Sequence, residues 1–485
     1  MGIDLGGTGV KAGIFDAAGQ QLGAGHAGFQ PATSPEGYVE LPIETIYTAA
    51  RDAVRQAVNG AGVPVRALAI SSQGQTFVTL DDADRPLHPA ILWYDSRADA
   101  EAQWLQEQLR AQASSEPLPL VQSIATAPKI RWLREHHPEQ MRRARRYLLL
   151  MDYLSYRLTG RAVTDPCNAH STALYADGAA GYCATALAAM GIDEGQLAAI
   201  QPAASPIATL KPEIAAEWGL SLDTLVVTGT NDQYAGAIGT GNCRPGIISE
   251  TSGTCLALVT LSEQLPASLP PGLLGGYFPL RPYQFALAYA KTAGVILDWF
   301  RRLWCPALGF ADLDALAATV PIGSHGIVAL PHFDGMFSPR PHPAAHGMVG
   351  NLALSHTTGD IYRAMLESLS FSLRENIELL YENGFRPERI RSIGGGAKSD
   401  LWLQMKADVT GLPVERPAVA EAATLGAAML AAVGAGDFPS IDACARACYR
   451  LERTFLPDAA AGALYEEPYV VYQDWCRRAY EEMQV

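Results

Sequence analysis

The same short design opens both halves of the chain: an apolar strand, a turn of small residues ending in threonine, and a second strand. It occurs first in Met1–Asp16, around the turn Gly6–Thr8. It returns in Ile247–Thr260, around the turn Ser252–Thr254. A unit that recurs across 485 residues indicates two related α/β units, and this length is enough for two or three domains that each have a core.

The glycine-rich first turn allows two interpretations. Its backbone N–H groups could cradle a phosphate, with Thr8 adding a hydroxyl. Asp4 lies close by, and an acid beside such a cradle repels the anion unless Mg²⁺ lies between them. A plain β-meander would contain the same glycines. GxxxxGK[ST] does not occur, and no GxGxxG leads from a strand directly into a helix, so a P-loop or a dinucleotide-binding fold has no support.

One carboxylate stands out in the middle of the chain. Asp232 follows the apolar run Leu225–Val227 and precedes a helix of small residues, with Gly229 and Gly236 on either side. Aspartate is a preferred residue at a helix N-terminus, so capping explains it. The same place also suits a base that takes a proton from a bound molecule. The local sequence leaves both roles open.

Polar residues follow two further apolar segments. The strand Ala67–Ser71 runs into Gln73-Gly-Gln-Thr76, and Ala90–Leu92 runs into Trp93-Tyr-Asp-Ser-Arg97. Strand ends are often polar simply because loops are solvated. These side chains could equally line a pocket that hydrogen-bonds the hydroxyl groups of a ligand.

In the second half, a triple glycine separates a strand from a helix within Ile390–Trp402. Bare backbone at a helix N-terminus can admit a flat ring or a phosphate. Thr424–Ala428 offers another small-residue surface, although such residues also serve helix packing.

Apolar residues recur every fourth position from Ile361 to Ile377 and predict one long amphipathic helix. Thr357 and Asp360 form a capping-box pattern before it, and Gly384 is a C-terminal stop signal.

Composition narrows the classes of function. The formal net charge is -14 without a long basic tract, which argues against a nucleic-acid partner. The eight cysteines contain no CxxC pair, and Cys444 and Cys448 fit buried small hydrophobes on one helix face better than a metal site. Without a leader pattern or a membrane-length apolar run, we expect a cytoplasmic protein with reduced thiols.

Together these stretches resemble the FGGY carbohydrate kinases, a branch of the actin-like ATPase superfamily, over nearly the whole chain and in the family's order. Asn351 departs from that pattern, because glycine is common at its position. The stretches that carry the resemblance are the phosphate motifs Asp4–Gly9 and Thr251–Thr254, the signatures Thr126–Glu135 and His346–Glu367, and the adenosine-site segments Gly394–Trp402 and Thr424–Ala428.

The resemblance implies an α/β fold of two actin-like ATPase (ribonuclease H-like) domains that face each other across a catalytic cleft. The N-terminal domain would span 1–244 and carry the sugar site, the first phosphate motif and the catalytic aspartate. The C-terminal domain would span 245–485, with its last helices able to pack back on the first domain. Relatives are often dimers, so a homodimer is an expectation by analogy.

The resemblance also implies roles for individual residues, with ATP as the phosphate donor and Mg²⁺ as its partner. Asp232 would be the general base, and Asp4 and Asp232 would hold Mg²⁺. The substrate would be bound by Gln75, Trp93, Asp95, Gln233 and Asp232. Asp95 and Arg97 would also support the loop that carries Trp93. The nucleotide would contact Gly7, Thr8, Lys11, Ser252, Gly253, Thr254, Gly395, Gly396, Ala397 and Asp400.

The substrate is less clearly marked. Xylulose kinases commonly show Met-His-Gly after the strand that here leads into Gly74-Gln75-Thr76, and glycerol kinases show Arg-Glu-Thr. Gln75 can donate and accept, so it suits a vicinal diol without naming a sugar. The layout around Trp93 is nearer to the xylulose kinases, so we expect a pentulose such as D-xylulose. Other ketoses and polyols, including ribulose, hexuloses, glycerol and erythritol, stay open.

Three rival classes fit less well. An ROK-type sugar kinase would carry a cysteine-rich zinc motif, which is missing here. A chaperone ATPase would need a peptide-binding domain, and the 60 residues after Leu425 cannot hold one. A sensor that binds sugar without reacting would be expected to lose Asp232 or a phosphate threonine, and this chain keeps them.

Overall fold

The computed structural model describes residues 1–112, 117–176, 180–419 and 421–482. The strands in these ranges, in chain order, are β1 Gly2–Leu5, β2 Gly9–Phe15, β3 Gln21–Gly28, β4 Ala32–Thr33, β5 Val39–Leu41, β6 Ala67–Ser72, β7 Phe77–Leu80, β8 Ala90–Ile91, β9 Arg146–Leu149, β10 Val163–Thr164, β11 Ala199–Ile200, β12 Pro206–Thr209, β13 Leu225–Asn231, β14 Ile247–Ser252, β15 Leu256–Ser262, β16 Leu274–Tyr277, β17 Gln284–Ala290, β18 Val328–Leu330, β19 Met348–Gly350, β20 Arg389–Ile393, β21 Val414–Pro417 and β22 Leu451–Phe455.

The α-helices in the same ranges are α1 Ile43–Ala61, α2 Asp99–Ala111, α3 Thr126–His136, α4 Pro138–Met141, α5 Leu150–Thr159, α6 Pro166–His170, α7 Ala184–Met190, α8 Pro212–Trp218, α9 Asp232–Gly239, α10 Gly294–Trp304, α11 Phe310–Ala318, α12 Thr358–Glu382, α13 Asp400–Thr410, α14 Ala422–Gly434, α15 Ile441–Cys448 and α16 Ala459–Arg477. No helix among the described residues is long and apolar enough to span a membrane.

The chain forms two compact α/β units. Unit 1 comprises Met1–Cys243, Gly276–Arg281 and Glu421–Tyr449, and unit 2 comprises Arg244–Gly275, Pro282–Ala420 and Arg450–Val485. The main cut therefore falls beside the one expected between residues 244 and 245. A single cut does not describe the C-terminal part, because α14 and α15 belong to unit 1 whereas the last helix, α16, belongs to unit 2.

Unit 1 is built on a six-stranded sheet in the order β12-β13-β6-β1-β2-β3. Its three central strands, β13, β6 and β1, are parallel, and β1 turns back antiparallel into β2. Helix α1 lies so close to β3 that a Cβ on Gly25 would be 1.9 Å from the Ala53 carbonyl oxygen. A smaller five-stranded sheet, β4-β5-β8-β7-β9, leads into the segment that carries Trp93.

Small residues let helices α9 and α14 approach each other in unit 1. A Cβ on Gly426 would lie 1.8 Å from the Ala235 carbonyl oxygen, and one on Gly239 would lie 1.9 Å from that of Ala422. Backbones this close leave no room for larger side chains. For the stretch Thr424–Ala428, the structure therefore favours the helix-packing interpretation.

In unit 2 the main sheet contains the order β17-β15-β14-β20-β21-β22, in which β14 is antiparallel to β15 and parallel to β20. Helix α12 supplies much of its core and is the long helix that the apolar pattern predicts. Thr357 and Asp360 form the capping box, with the Asp360 Oδ2 atom accepting from the Thr357 N–H at 2.7 Å. Gly384 follows with a left-handed φ of 87°, so both predicted boundaries are confirmed.

The cysteine prediction concerned the helix that the structure shows as α15. Cys444 and Cys448 are buried there, with their Sγ atoms 3.9 Å apart. Within the described residues, no group of three or more His, Cys, Asp or Glu side chains is arranged to hold a metal ion. Both thiols pack as small hydrophobic groups.

Candidate active site

Asp4 lies on β1 in the middle of the unit 1 sheet, where the turn of the first motif begins. Its register partner on the parallel strand β6 is Ser71, whose hydroxyl donates to the Asp4 Oδ1 atom at 2.7 Å. Burial raises the pKa of Asp4 to about 6, although the Ser71 hydrogen bond and Lys11 oppose the shift. The hydrogen bond fixes the orientation of a carboxylate that is still partly exposed.

Strand β13 places the next acid by means of an irregularity. Its pairing with β6 shifts between Val227 and Thr230. A Cβ on Gly229 would lie 1.7 Å from the Ile70 carbonyl oxygen, so only glycine can pass at this point. Beyond it the Thr230 hydroxyl donates to Asp165 at 2.8 Å, and the strand ends directly at α9.

Asn231, and not Asp232, caps helix α9. The Asn231 Oδ1 atom accepts the N–H of Gln233 at 3.0 Å. Asp232 is therefore the first helical residue, partly exposed, and its carboxylate is not needed for the cap. Burial raises its pKa to about 7 and the charge of Asp4 adds to this, while the Gln233 N–H opposes it. Of the two roles that the sequence left open, the structure assigns capping to the neighbouring residue.

Asp4 and Asp232 make a donor set that fits a divalent cation. The charge of Asp4 raises the cost of ionising Asp232, because like charges near one another repel. Among the described residues, neither carboxylate has an ion-pair partner. Mg²⁺ prefers carboxylate oxygens and is held in proteins by one or two of them, with water and phosphate completing its shell.

Thr8 of the first motif and Lys11, which follows the motif, lie at the protein surface. Thr8 is exposed at the tip of the turn, and its carbonyl oxygen accepts the N–H of Phe29 at 3.0 Å. Lys11, on β2, forms an ion pair with Glu421 at 2.7 Å, and both side chains are about two-fifths exposed. A phosphate at Lys11 would have to compete with this pair, which a screened surface interaction permits. Gly7 lies in the same turn with its backbone partly exposed.

The predicted sugar-binding side chains are reachable by a ligand. Gln75 has a left-handed φ of 58° and is held on both sides, since its N–H donates to the Ser171 hydroxyl and its carbonyl accepts from the Thr126 hydroxyl, each at 3.2 Å. Gln233 is partly exposed. Trp93 is 40% exposed, so its ring is open to a ligand.

Asp95 lies in a different environment from the other residues that were predicted to bind the sugar. It is 1% exposed, and Arg97 holds it through two guanidinium hydrogen bonds of 2.9 and 2.7 Å and one from its backbone N–H at 3.0 Å. The Val39 N–H also donates to it at 2.6 Å. A carboxylate with its oxygens occupied in this way supports the loop that carries Trp93, and its position does not favour direct contact with a ligand.

In unit 2 the second phosphate motif contacts a buried pair of charged side chains, Glu250 and Lys406. Thr254 is exposed at the tip of its turn, as Thr8 is, and Gly253 is partly exposed. Ser252, by contrast, is fully buried, and its hydroxyl bonds to Glu250 and to the Lys406 ammonium group. Ser252 therefore presents no exposed group to a ligand, in contrast to the prediction that it contacts the nucleotide.

The predicted adenosine segment also contains two kinds of residue. Gly395 is exposed, whereas Gly396 is buried where a Cβ would lie 2.5 Å from the Trp402 ring. Ala397 is buried as well. Asp400 begins α13, is about half exposed, and forms ion pairs with Arg416 at 2.7 Å and with Arg453. Exposed backbone at Gly395, next to this helix start, is the part that a nucleotide could touch.

Sequence reasoning missed several residues that organise these sites. Asn231, Ser71, Glu250, Lys406 and Lys129 act through partners that are far away in the chain or through cap geometry. Lys129 carried one signal, because it is a lone lysine among apolar neighbours in the first family signature. A fully buried lysine needs dedicated acceptors.

Both halves of the chain match one known protein family. The model of the N-terminal domain of the FGGY family of carbohydrate kinases matches residues 1–239, and that of the C-terminal domain matches residues 248–435. The chain belongs to the FGGY family of carbohydrate kinases. It is therefore an enzyme, a sugar kinase, and the resemblance noted in the sequence is confirmed.

Named relatives of this FGGY kinase differ in substrate. It is 33% identical to the xylulose kinase of Haemophilus influenzae over 89% of this chain and 90% of that protein. It is 32% identical to the glycerol kinase of Bordetella parapertussis, over 94% and 92%. A crystal structure of xylulose kinase from Rhodospirillum rubrum superposes with a TM-score of 0.86 at 26% identity, covering 98% of this chain and 97% of that one. The two-domain α/β fold class is confirmed.

Proposed function

We propose that this FGGY kinase transfers the γ-phosphoryl group of ATP to a hydroxyl of a pentulose such as D-xylulose, giving ADP and the 5-phosphate, in the cytoplasm. Asp232 carries the proposal: it is a partly exposed carboxylate whose helix is already capped by Asn231. Xylulose kinases among the similar proteins support the substrate class.

Asp232 would accept the proton of the attacking hydroxyl. A pKa of about 7, raised by burial and by Asp4, suits a base at neutral pH, because it is ionised in part yet basic enough to take a proton. Such a base contributes about 10²–10⁴ in rate. Gln75, Gln233 and Trp93 would hold the sugar, two of them by amide hydrogen bonds and one by its ring face.

The remaining residues would bind and orient the nucleotide. The exposed hydroxyls of Thr8 and Thr254 would donate to phosphate oxygens in their respective units, and Gly395 would admit the adenosine. Mg²⁺ held by Asp4 and Asp232 would neutralise phosphate charge. Phosphoryl transfer depends on such alignment and charge neutralisation more than on covalent help from the protein.

The test is a coupled ADP-release assay with Mg-ATP against polyols, aldoses, pentuloses and hexuloses. We expect the highest kcat/KM with D-xylulose, and sugar-dependent ADP release that is about 10²–10⁴-fold slower in Asp232→Asn. Asp223→Asn is the matched control, because Asp223 is exposed elsewhere in unit 1.

Each other outcome corrects one part of the proposal. A higher kcat/KM with glycerol or another ketose would keep the kinase and replace the substrate, and the glycerol kinase relative makes glycerol the first comparison. No stimulation by any sugar, with ligand binding retained, would favour a sugar-binding sensor.

A further inference from the structure

Lys129 lies behind the segments that are proposed to hold the sugar. It belongs to α3 in unit 1 and has 0% exposure. Burial lowers its pKa to about 7, with Asp95 opposing the shift and Arg97 adding to it. A buried amine of this kind is costly unless its donors are satisfied.

The ammonium group of Lys129 donates hydrogen bonds to backbone carbonyl oxygens. Its Nζ atom donates to the carbonyl oxygens of Leu92 at 2.8 Å and of Trp93 at 3.1 Å. Asp95 does not serve as its partner, since that carboxylate is held by Arg97. The lysine therefore holds the backbone of the segment that presents the exposed Trp93 ring.

The first turn of α3 holds the second sugar segment as well. Thr126 lies three residues before Lys129, so the two side chains share a helix face. The Thr126 hydroxyl donates to the Gln75 carbonyl at 3.2 Å. The Thr76 hydroxyl then accepts the Trp93 N–H at 2.9 Å and joins the two segments directly.

Gln75 needs this support because its backbone is unfavourable. A φ of 58° is uncommon for a residue other than glycine, and it persists only where the surroundings hold it in place. Without the hydrogen bond from Thr126, the segment would be free to relax and carry the Gln75 amide away from its position.

We propose that Lys129 and Thr126 are positioning residues that set the affinity for the sugar by fixing the backbone that carries Trp93 and Gln75. This inference rests on the proposed function, in which Gln75 and Trp93 hold the sugar. It assigns neither residue a contact with the substrate.

The first experiment compares Lys129→Met with the wild-type enzyme, using the sugar that the panel identifies. Methionine keeps an unbranched buried chain but removes the donors. We expect the KM for the sugar to rise by about 10- to 100-fold, as misplaced binding groups commonly cause, with the KM for ATP within about twofold. Lys211→Met is the control, because Lys211 is partly exposed away from these segments.

A pair of milder variants protects the test against misfolding. Thr126→Ser keeps the hydroxyl and should retain the wild-type KM for the sugar. Thr126→Ala removes it and should raise that KM while leaving the melting temperature within a few degrees. Equal KM values for the two variants would overturn the role of Thr126.

A double-mutant cycle decides whether Lys129 acts through Trp93. In a Trp93→Ala background, Lys129→Met should raise the KM for the sugar by less than about threefold, because the ring it positions is gone. Full additivity would overturn the inference. Wild-type enzyme that is inactive with every sugar would instead refute the proposed function, whereas an active wild type with an unchanged Lys129→Met would refute the inference alone.

Discussion

Asp4 in unit 1 and Glu250 in unit 2 occupy equivalent places in their two sheets. Each lies on a central strand, four residues before the threonine of its turn, Thr8 or Thr254. Each also faces a serine across the neighbouring parallel strand, Ser71 for Asp4 and Ser392 for Glu250, and accepts that serine's hydroxyl. The two halves thus repeat not only a motif but also its supporting hydrogen bond.

The two acids differ in what neutralises them. Glu250 is 0% exposed, and the Lys406 ammonium group donates to both of its carboxylate oxygens, at 2.9 and 3.0 Å. Asp4 is partly exposed, and Lys11 on the adjacent strand pairs with Glu421 instead. The same frame therefore holds a closed ion pair in unit 2 and a carboxylate open to a ligand in unit 1.

The largest expected effect is a loss of turnover without a loss of folding. Asp232→Asn removes the base beside Asp4 and should lower kcat by about 10²–10⁴ while the protein stays folded. Steady-state ADP release and an ATP-binding titration measure the two properties. Near-normal turnover would remove Asp232 from the mechanism and, with it, the contrast between open and closed acids.

In unit 2 the same kind of change should act on stability. Glu250→Gln leaves the Lys406 amine buried without its counter-charge, which typically costs about 3–5 kcal/mol in the free energy of unfolding. Denaturant unfolding, followed for each variant, gives the loss.

A second variant and a surface control sharpen this prediction. The double variant Glu250→Gln, Lys406→Met removes both charges and should recover part of the loss. Asp298→Asn breaks two partly exposed ion pairs, with Arg301 and Arg302, and should cost less than about 1 kcal/mol per pair. A Glu250→Gln protein as stable as this control would show that the buried pair is not structural.

The open acids should also make activity depend on pH. With a pKa of about 7, Asp232 is protonated at lower pH, so kcat/KM should fall about tenfold per pH unit below about pH 7. Raising the Mg²⁺ concentration should shift this limb to lower pH, because a bound cation favours the ionised carboxylates. If the pH at which kcat/KM begins to fall did not change with the Mg²⁺ concentration, this would argue against a metal at Asp4 and Asp232.

The smallest expected effect is on the free energy of unfolding, which the ionised carboxylate of Asp232 lowers. A folded-state pKa raised from 3.8 to about 7 means that native Asp232 favours its proton, so its contribution to stability is lost as the pH rises through that range. Asp232→Asn should therefore stabilise the protein by about 1–2 kcal/mol at pH 8, after allowance for partial exposure. The gain should grow from about pH 4 to 7 and then level off.

A pH series of unfolding midpoints in the absence of Mg²⁺ measures this gain. Asp223→Asn, on the surface, should show no such trend. A loss of stability in Asp232→Asn at pH 8 would mean that the native protein stabilises the ionised carboxylate. This would contradict the description of Asp232 as a carboxylate that is open to a ligand.

Local patterns were sufficient to predict much of this protein. The glycine and threonine turns, the α12 helix with its Thr357 cap, and the strand-to-helix junction at Asp232 all depend on residues that are close together in the chain. Backbone conformation at turns and caps is set by such neighbours. The family followed from the order of these patterns.

Tertiary structure decided which of those residues are available to a ligand. Glu250 and Lys406 are 156 positions apart, and only the packing of α13 on the sheet brings them together and engages the Ser252 hydroxyl. The burial of Asp95 and the hydrogen bonds from Lys129 to the backbone at Trp93 likewise depend on strand register and helix packing. A sequence pattern names the groups that a motif contains, but the charges and hydrogen bonds that reach them come from distant segments, whose contacts exist only after the chain has folded.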